Sequence, residues 1–174
     1  MDYIFAMTYD FYGGWNNVVG HQTALYCGSH ISADECAGKG VDAEGKPRKG
    51  PAYSVSNAVD LLLAQGTPAE KVVVGVGMYA RGWTGVTEAS MTDPSNPMTG
   101  VGNGKVKGSW EAGVIDYKDV VKNYINNSSV QKFYDEQAQA PYAYNPATGD
   151  LITYDDPRSV IAKGQYVRSL GLGG

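Results

Sequence analysis

The sequence predicts an α/β fold, and three stretches carry that prediction. Tyr3-Ile4-Phe5-Ala6-Met7-Thr8-Tyr9 is a short, apolar, aromatic-rich run closed by Gly13-Gly14, the pattern of a buried strand. Val55 to Gln65 carries Val55, Ala58, Val59 and Leu62 at i, i+3, i+4 and i+7, one face of a helix. Val72-Val73-Val74 is apolar without a break, as a parallel strand covered on both faces must be. Strand, crossover helix and strand make one parallel unit, right-handed by the general rule.

In the first strand, period-two geometry puts Tyr3, Phe5, Met7 and Tyr9 on one face and Ile4, Ala6 and Thr8 on the other. A phenol ends the strand, the carboxylate of Asp10 follows, and Phe11, Tyr12 and Trp15 come next. Parallel α/β folds meet their ligands at the C-terminal ends of strands. Polar and aromatic groups concentrated there predict a site for something with both hydroxyls and flat apolar faces.

Asn16 to Pro51 is a long, Gly-rich excursion that holds both cysteines and both histidines. His21, Cys27, His30 and Cys36 offer a Cys2His2 ligand set, although their spacing fits no standard zinc site. The competing reading pairs Cys27 with Cys36. Beyond the excursion, Ser54 is placed to cap the helix at Val55, and Gly66 with Pro68 stops it. The next strand is expected to run from Lys71 to Trp83, with Tyr79 and Arg81 sharing a parity and emerging at its end as Tyr9 does. Taken singly, Tyr79 reads better as a core tyrosine and Arg81 as a solvated charge. Two strand ends with matching polar and aromatic sets point to a site.

Thr84 to Gly108 is rich in Gly, Pro, Ser, Thr and Asn and reads as loop. Its Gly100-x-Gly102-x-Gly104 has no strand before it and no helix close behind, so it is not a dinucleotide fingerprint. Trp110-Glu111 follow. Asp116 is placed to cap a short helix in which Tyr117, Val120, Val121, Tyr124 and Ile125 keep one face. Three strand-like runs come next, Val130 to Tyr134, Tyr142 to Tyr144 and Leu151 to Tyr154, the last two joined by the turn signal Asn145-Pro146-Ala147-Thr148-Gly149. Asp156 then caps a helix with Pro157 in its first position, carrying Val160, Ile161, Val167 and Leu170. Asn126-Asn127-Ser128 and Asn127-Ser128-Ser129 match glycosylation sequons, which count only in a eukaryotic secretory path.

At 174 residues and 43% hydrophobic content, the chain has material for one ordinary core. A net charge of −4 leaves no basic patch, which argues against nucleic acid and anionic membrane as partners. No apolar run approaches a membrane span. Nothing in the motifs calls for a cofactor.

M-x-Y-D-F-Y-G at a strand end (Met7 to Gly13), with V-x-G-x-x-M-Y-x-R-G-W about 70 residues on, resembles the chitinases of glycoside hydrolase family 18, most closely the bacterial chitinase A type. The likeness also covers GHQTAL, LLLAQG, the block Val74 to Trp83, KGSWE with VIDY, and ATGDLITYDD. It implies part of a (β/α)8 TIM barrel: residues 1–83 as the sixth and seventh strands with their long loop and crossover helix, 84–155 as a small α+β chitinase insertion, and 156–174 as a barrel helix. The family's acid motif, D-x-x-D-x-D-x-E, occurs nowhere in this sequence, nor does the tryptophan of its last barrel strand. The resemblance therefore implies the second half of a catalytic domain, working only with the other half of the barrel. It implies export as well, and two cysteines in a loop of an exported enzyme normally pair. The preferred reading is a Cys27–Cys36 disulfide and no metal site; closing about ten residues stabilises by about 2.7 kcal/mol in the chain-entropy model.

Family 18 is an exception to the two-carboxylate rule, because the acetamido group of the substrate is the nucleophile. On the resemblance, Tyr9 and Asp10 are the catalytic residues of this chain, Tyr9 donating its hydroxyl to the acetamide oxygen. Met7 forms part of the floor beneath the sugar. Tyr79, Arg81 and Glu111 bind sugar hydroxyls and amides, and Trp15 and Trp110 are stacking platforms for chitin or chitooligosaccharides. Thirteen tyrosines and three tryptophans suit a flat, neutral polysaccharide. Three readings stay open: a chitinase fragment, a catalytically silent chitin-binding relative, and an unrelated α/β protein with chance motifs. For Trp110, burial in the core of the insertion also remains open.

Overall fold

The structure, a computed structural model, describes residues 2–41 and 46–174. Met1 and residues 42–45 of the Gly-rich excursion lie outside the described residues. Two sheets organise the chain. β1 (Ile4–Ala6) and β2 (Val72–Val74) pair in parallel, with Ile4 opposite Val72 and Ala6 opposite Val74. Between them run the short α1 (Ala33–Cys36) and the crossover helix α2 (Val55–Ala64). Ser54 Oγ accepts from the amide of Asn57 at 3.1 Å, capping α2. Gly66, at φ +84°, takes the left-handed turn that ends it. The apolar face of α2 puts Val55 and Val59 against Leu25 and Val72.

The second sheet is antiparallel, in the order β4-β3-β7-β6-β5. Its strands are β3 (Tyr79–Trp83), β4 (Val114–Asp116), β5 (Gln131–Asp135), β6 (Ala140–Asn145) and β7 (Asp150–Thr153). This corrects the single strand expected from Lys71 to Trp83: the chain leaves the parallel pair after Val74, and Tyr79 and Arg81 lie on β3. The reason sits at Gly75, where a Cβ would come 2.6 Å from Ala6 O and 2.7 Å from the ring of Tyr9. Only glycine lets the chain pass that close; Gly75 N donates to Ala6 O at 3.0 Å, the last backbone contact of the pair, and the chain turns away beyond it. β4 escaped the sequence reading because three residues carry too little periodicity to register.

One face of the antiparallel sheet buries Ala80, Ile115, Ala143 and Ile152 with Val120 of α3 (Tyr117–Val120). The other buries Trp83, Tyr142, Tyr144 and Leu151 beneath Val86 and Met98 of the long loop. α3 continues as a π-helical turn over Val121–Ile125. Asp116 does not cap α3 with its side chain, as had been expected; its carboxylate is engaged by Trp110 instead. α4 (Pro157–Ser169) opens with a reciprocal Asp156–Ser159 capping box.

A further correction concerns the first strand, which is neither long nor buried. Only three residues are paired, and Phe5 and Met7 are each 75% exposed. The parallel sheet holds only two strands, so that face has nothing over it among the described residues. Cys27 and Cys36 form a disulfide, which takes both thiolates out of any Cys2His2 set. No helix among the described residues is long and apolar enough to cross a membrane.

Candidate active site

Asp10 directly follows the segment that extends β1, and its backbone is left-handed, at φ +60°. For a residue other than glycine that conformation costs roughly 1–3 kcal/mol and persists only where surrounding contacts enforce it. Gln22, fully buried, supplies one of those contacts and ties it to β3. Its Oε1 accepts from the Asp10 amide at 3.4 Å, and its Nε2 donates to the carbonyl of Tyr79 at 2.6 Å. The chain just before Tyr9 is pinned as well. Thr8 Oγ1 donates to Gly75 O at 3.0 Å and accepts from Gly75 N at 3.1 Å. Thr23 Oγ1 donates to Thr8 O at 2.9 Å and accepts from Lys163 Nζ at 2.7 Å. Lys163, buried in α4, donates also to the buried Asp155 at 2.6 Å.

With the backbone so held, the Asp10 side chain reaches across to β3. Its Oδ1 accepts from the hydroxyl of Tyr79 at 2.7 Å and from Arg81 Nε at 2.8 Å. Partial burial pushes the Asp10 carboxyl up, but hydrogen bonds from Arg81 and Tyr79 outweigh it and hold the group below the usual carboxylate range. Burial, then the bond to Asp10, pushes the Tyr79 phenol up, and the bond to Asp10 raises Arg81. At neutral pH the three groups are an anion, a neutral phenol and a cation. Asp10 is thus no proton donor at that pH.

The expected site residues converge around this centre. The Arg81 guanidinium lies 5.2 Å from the ring of Trp15 and 5.4 Å from that of Tyr79, cation–π distances for both. Glu111 Oε1 is 3.9 Å from Arg81 Nη1, a loose and exposed pair. Tyr9, half-buried, meets Tyr79 edge to face with centroids 6.3 Å apart. Trp110 stands further out, 85% exposed, which rules out the core reading. Its Nε1 donates to Asp116 Oδ2 at 3.1 Å, and Asp116 faces Tyr79 across the β3–β4 ladder. Met7 takes no part in this network and lies open on the exposed face of the parallel pair.

Sequence reasoning missed Gln22, Thr8 and Gly75 as positioning residues. Gln22 was in view inside GHQTAL, but nothing local marks a glutamine as the bridge between two strand ends. The histidines lie away from this cluster, against Asp135 at the end of β5.

Comparison with known proteins gives a consistent set. The family model for glycosyl hydrolases family 18 matches residues 1–174. Chitinase A of Pseudoalteromonas piscicida is 57% identical over 184 aligned residues, covering 100% of this chain and 22% of that protein. Chitinase A1 of Niallia circulans is 36% identical over 174 residues, covering 100% of this chain and 23% of that protein. Among solved structures, the Group IV chitinase of Ostrinia furnacalis in complex with allosamidin superposes with a TM-score of 0.81 at 30% identity, over 99% of this chain and 42% of that one. The chain spans less than half the length of each of these relatives.

Proposed function

This chain belongs to the glycosyl hydrolases of family 18, and on that premise we propose that it forms the substrate-orienting part of a chitinase catalytic domain. β1, α2 and β2 are taken as one stretch of a (β/α)8 barrel, its sixth and seventh strands. Residues 84–155 are taken as an α+β insertion, whose antiparallel sheet β3 (Tyr79–Trp83) joins. The exposed face of Phe5 and Met7 is where the rest of the barrel packs. Relatives named as chitinases, one of them solved with allosamidin, support chitin and its oligosaccharides as substrate. Secretion fits both a polymer too large to enter a cell and the Cys27–Cys36 disulfide.

The observation that carries the reading is the Asp10–Tyr79–Arg81 network beside the exposed ring of Trp15. The proposed reaction is retaining and substrate-assisted: the acetamido oxygen attacks the anomeric carbon while a carboxylic acid gives its proton to the glycosidic oxygen. That acid is a glutamate on the fourth barrel strand, outside these 174 residues. Tyr9 donates its hydroxyl to the acetamide oxygen, a bond that strengthens as charge develops there. Asp10 occupies one donor each of Tyr79 and Arg81 and so fixes both. The remaining guanidinium donors of Arg81 are left for sugar oxygens. Trp15 and Trp110 give flat faces on either side, Glu111 accepts from hydroxyls, and Met7 lines the floor.

Tyr9→Phe in the full-length enzyme tests this role, because it removes the donor and keeps the ring. We expect kcat on a chitooligosaccharide to fall by roughly 10²–10³. KM should change little, since the contact strengthens mainly in the transition state. A variant within about threefold of wild-type kcat would reduce Tyr9 to a packing residue.

A further inference from the structure

On the far side of the excursion, two histidines and a carboxylate come together from distant parts of the sequence. His21 Nε2 lies 3.2 Å from Asp135 Oδ2. A ring nitrogen of His30 completes a set of three ligand atoms, all within 4.8 Å of one another. His21 and Asp135 are buried, and His30 is half-buried. We propose that His21, His30 and Asp135 form a structural binding site for a divalent transition-metal ion of the zinc type.

The donor set selects the ion. Two imidazoles and one carboxylate suit zinc, whereas calcium and magnesium take oxygen ligands throughout. The spacing suits it too. Tetrahedral zinc with bonds of about 2.0–2.2 Å holds its ligand atoms roughly 3.3–3.6 Å apart. His21 and Asp135 already stand near that separation, and the outer limit of the cluster asks His30 to close by at most roughly 1.5 Å.

The surroundings are those of a site built in advance. Asp135 Oδ1 accepts from the amides of Gln137 and Ala138, both at 3.1 Å, and Oδ2 accepts from the Ser29 amide at 2.8 Å and its hydroxyl at 3.0 Å. The carboxylate is therefore fixed by groups other than His21, as ligating carboxylates usually are. Ser29 and His30 sit inside the loop closed by the Cys27–Cys36 disulfide, which limits how far His30 can wander.

Two atoms in this arrangement have no hydrogen-bond partner among the described residues. Nδ1 of His30 and Nδ1 of His21 are both buried without a hydrogen bond. An unpaired buried nitrogen is unfavourable, and coordination through His30 Nδ1 would relieve one of the two. His30 also borders a cavity of about 240 Å³ shared with Tyr12, Glu35 and Thr99, which leaves room for water as a fourth ligand. An ion here would tie the excursion to the end of β5.

The test uses the full-length protein, stripped with a chelator and dialysed, then titrated with zinc chloride by calorimetry. In parallel, cobalt(II) serves as an optical probe. We expect one ion per chain and the intense visible absorption of four-coordinate cobalt, without a thiolate charge-transfer band, because both cysteines are oxidised. His30→Ala should weaken zinc by more than the roughly 10–100-fold that loss of an outer-shell partner brings. His30→Gln, which better preserves side-chain volume, should do the same if the alanine variant folds poorly. Wild-type protein that takes up no zinc, or a folded His30 variant that binds it as wild type does, overturns the site and leaves a buried His21–Asp135 pair with a second histidine packed beside it.

Discussion

β1 of the parallel pair and β6 of the antiparallel sheet are both rich in apolar and aromatic residues, yet they are buried to very different extents. In β6, every residue from Ala140 to Tyr144 is buried, and Trp83 on β3 is fully enclosed. In β1, Phe5 is 75% exposed. Composition does not separate the two; topology does. Antiparallel strands joined by local turns find their neighbours nearby, and here loop and helix cover both faces. A parallel strand inside a barrel needs a partner on each side and a layer over each face. Among the described residues β1 has one partner. The lesson is that an aromatic strand says what can be buried, and its neighbours decide whether it is.

Substitutions in the two regions should therefore part sharply. Trp83→Ala empties a filled site and frees the Asn16 carbonyl from its 2.7 Å bond to the indole. It should lower unfolding free energy by about 3–5 kcal/mol in a denaturant titration; a loss below about 1 kcal/mol would mean that the antiparallel sheet is not the main core. Replacing Cys27 and Cys36 together by serine should cost about 2.7 kcal/mol by the same measurement, and denatured, unreduced wild type should show no reactive thiol. Trp15→Ala in the full-length enzyme should weaken long oligosaccharides by about 1–3 kcal/mol, the scale for stacking on a flat ligand. Substrates too short to reach Trp15 should bind as before, and equal losses on both would indicate a folding defect. Smallest of all, Phe5→Ala in the 174-residue chain should shift stability by less than about 0.5 kcal/mol, the usual range for an exposed position. A loss as large as that for Trp83 would mean that β1 is covered by another copy of the chain, which light scattering would detect.

Much of this was legible in the sequence because the signals are local. The helix at Val55 with its Ser54 cap, the meander of β5, β6 and β7 and the Asp156 capping box each depend on residues within a few positions of one another. That Tyr9, Asp10, Tyr79, Arg81 and Trp15 come together was legible, since both strand ends carry them. Their geometry was not. Reading Lys71 through Trp83 as one strand missed the break just past Gly75, a residue whose role depends on the ring of Tyr9 lying across it. The left-handed backbone of Asp10 depends on Gln22 in the same way. The histidines show the limit most plainly. The sequence set them beside the cysteines, whereas His21 pairs with Asp135, 114 residues away.

The register of the parallel pair also bears on how the molecule assembles itself in time. Thr8 and Gly75, which prolong that pairing, are 67 residues apart, whereas Tyr134 and Gln139 in the β5–β6 hairpin are 5 apart. Closing the longer loop costs roughly 2.3 kcal/mol more in chain entropy, and non-local pairings of this kind form slowly. The meander should nucleate early and the parallel pair dock afterwards. Asp10 and Arg81, 71 residues apart, can meet only once that docking is complete. The Asp10–Tyr79–Arg81 cluster is then the last part of the chain to mature, and under gentle denaturation it should be the first to open, while the sheet beside it still resists hydrogen exchange.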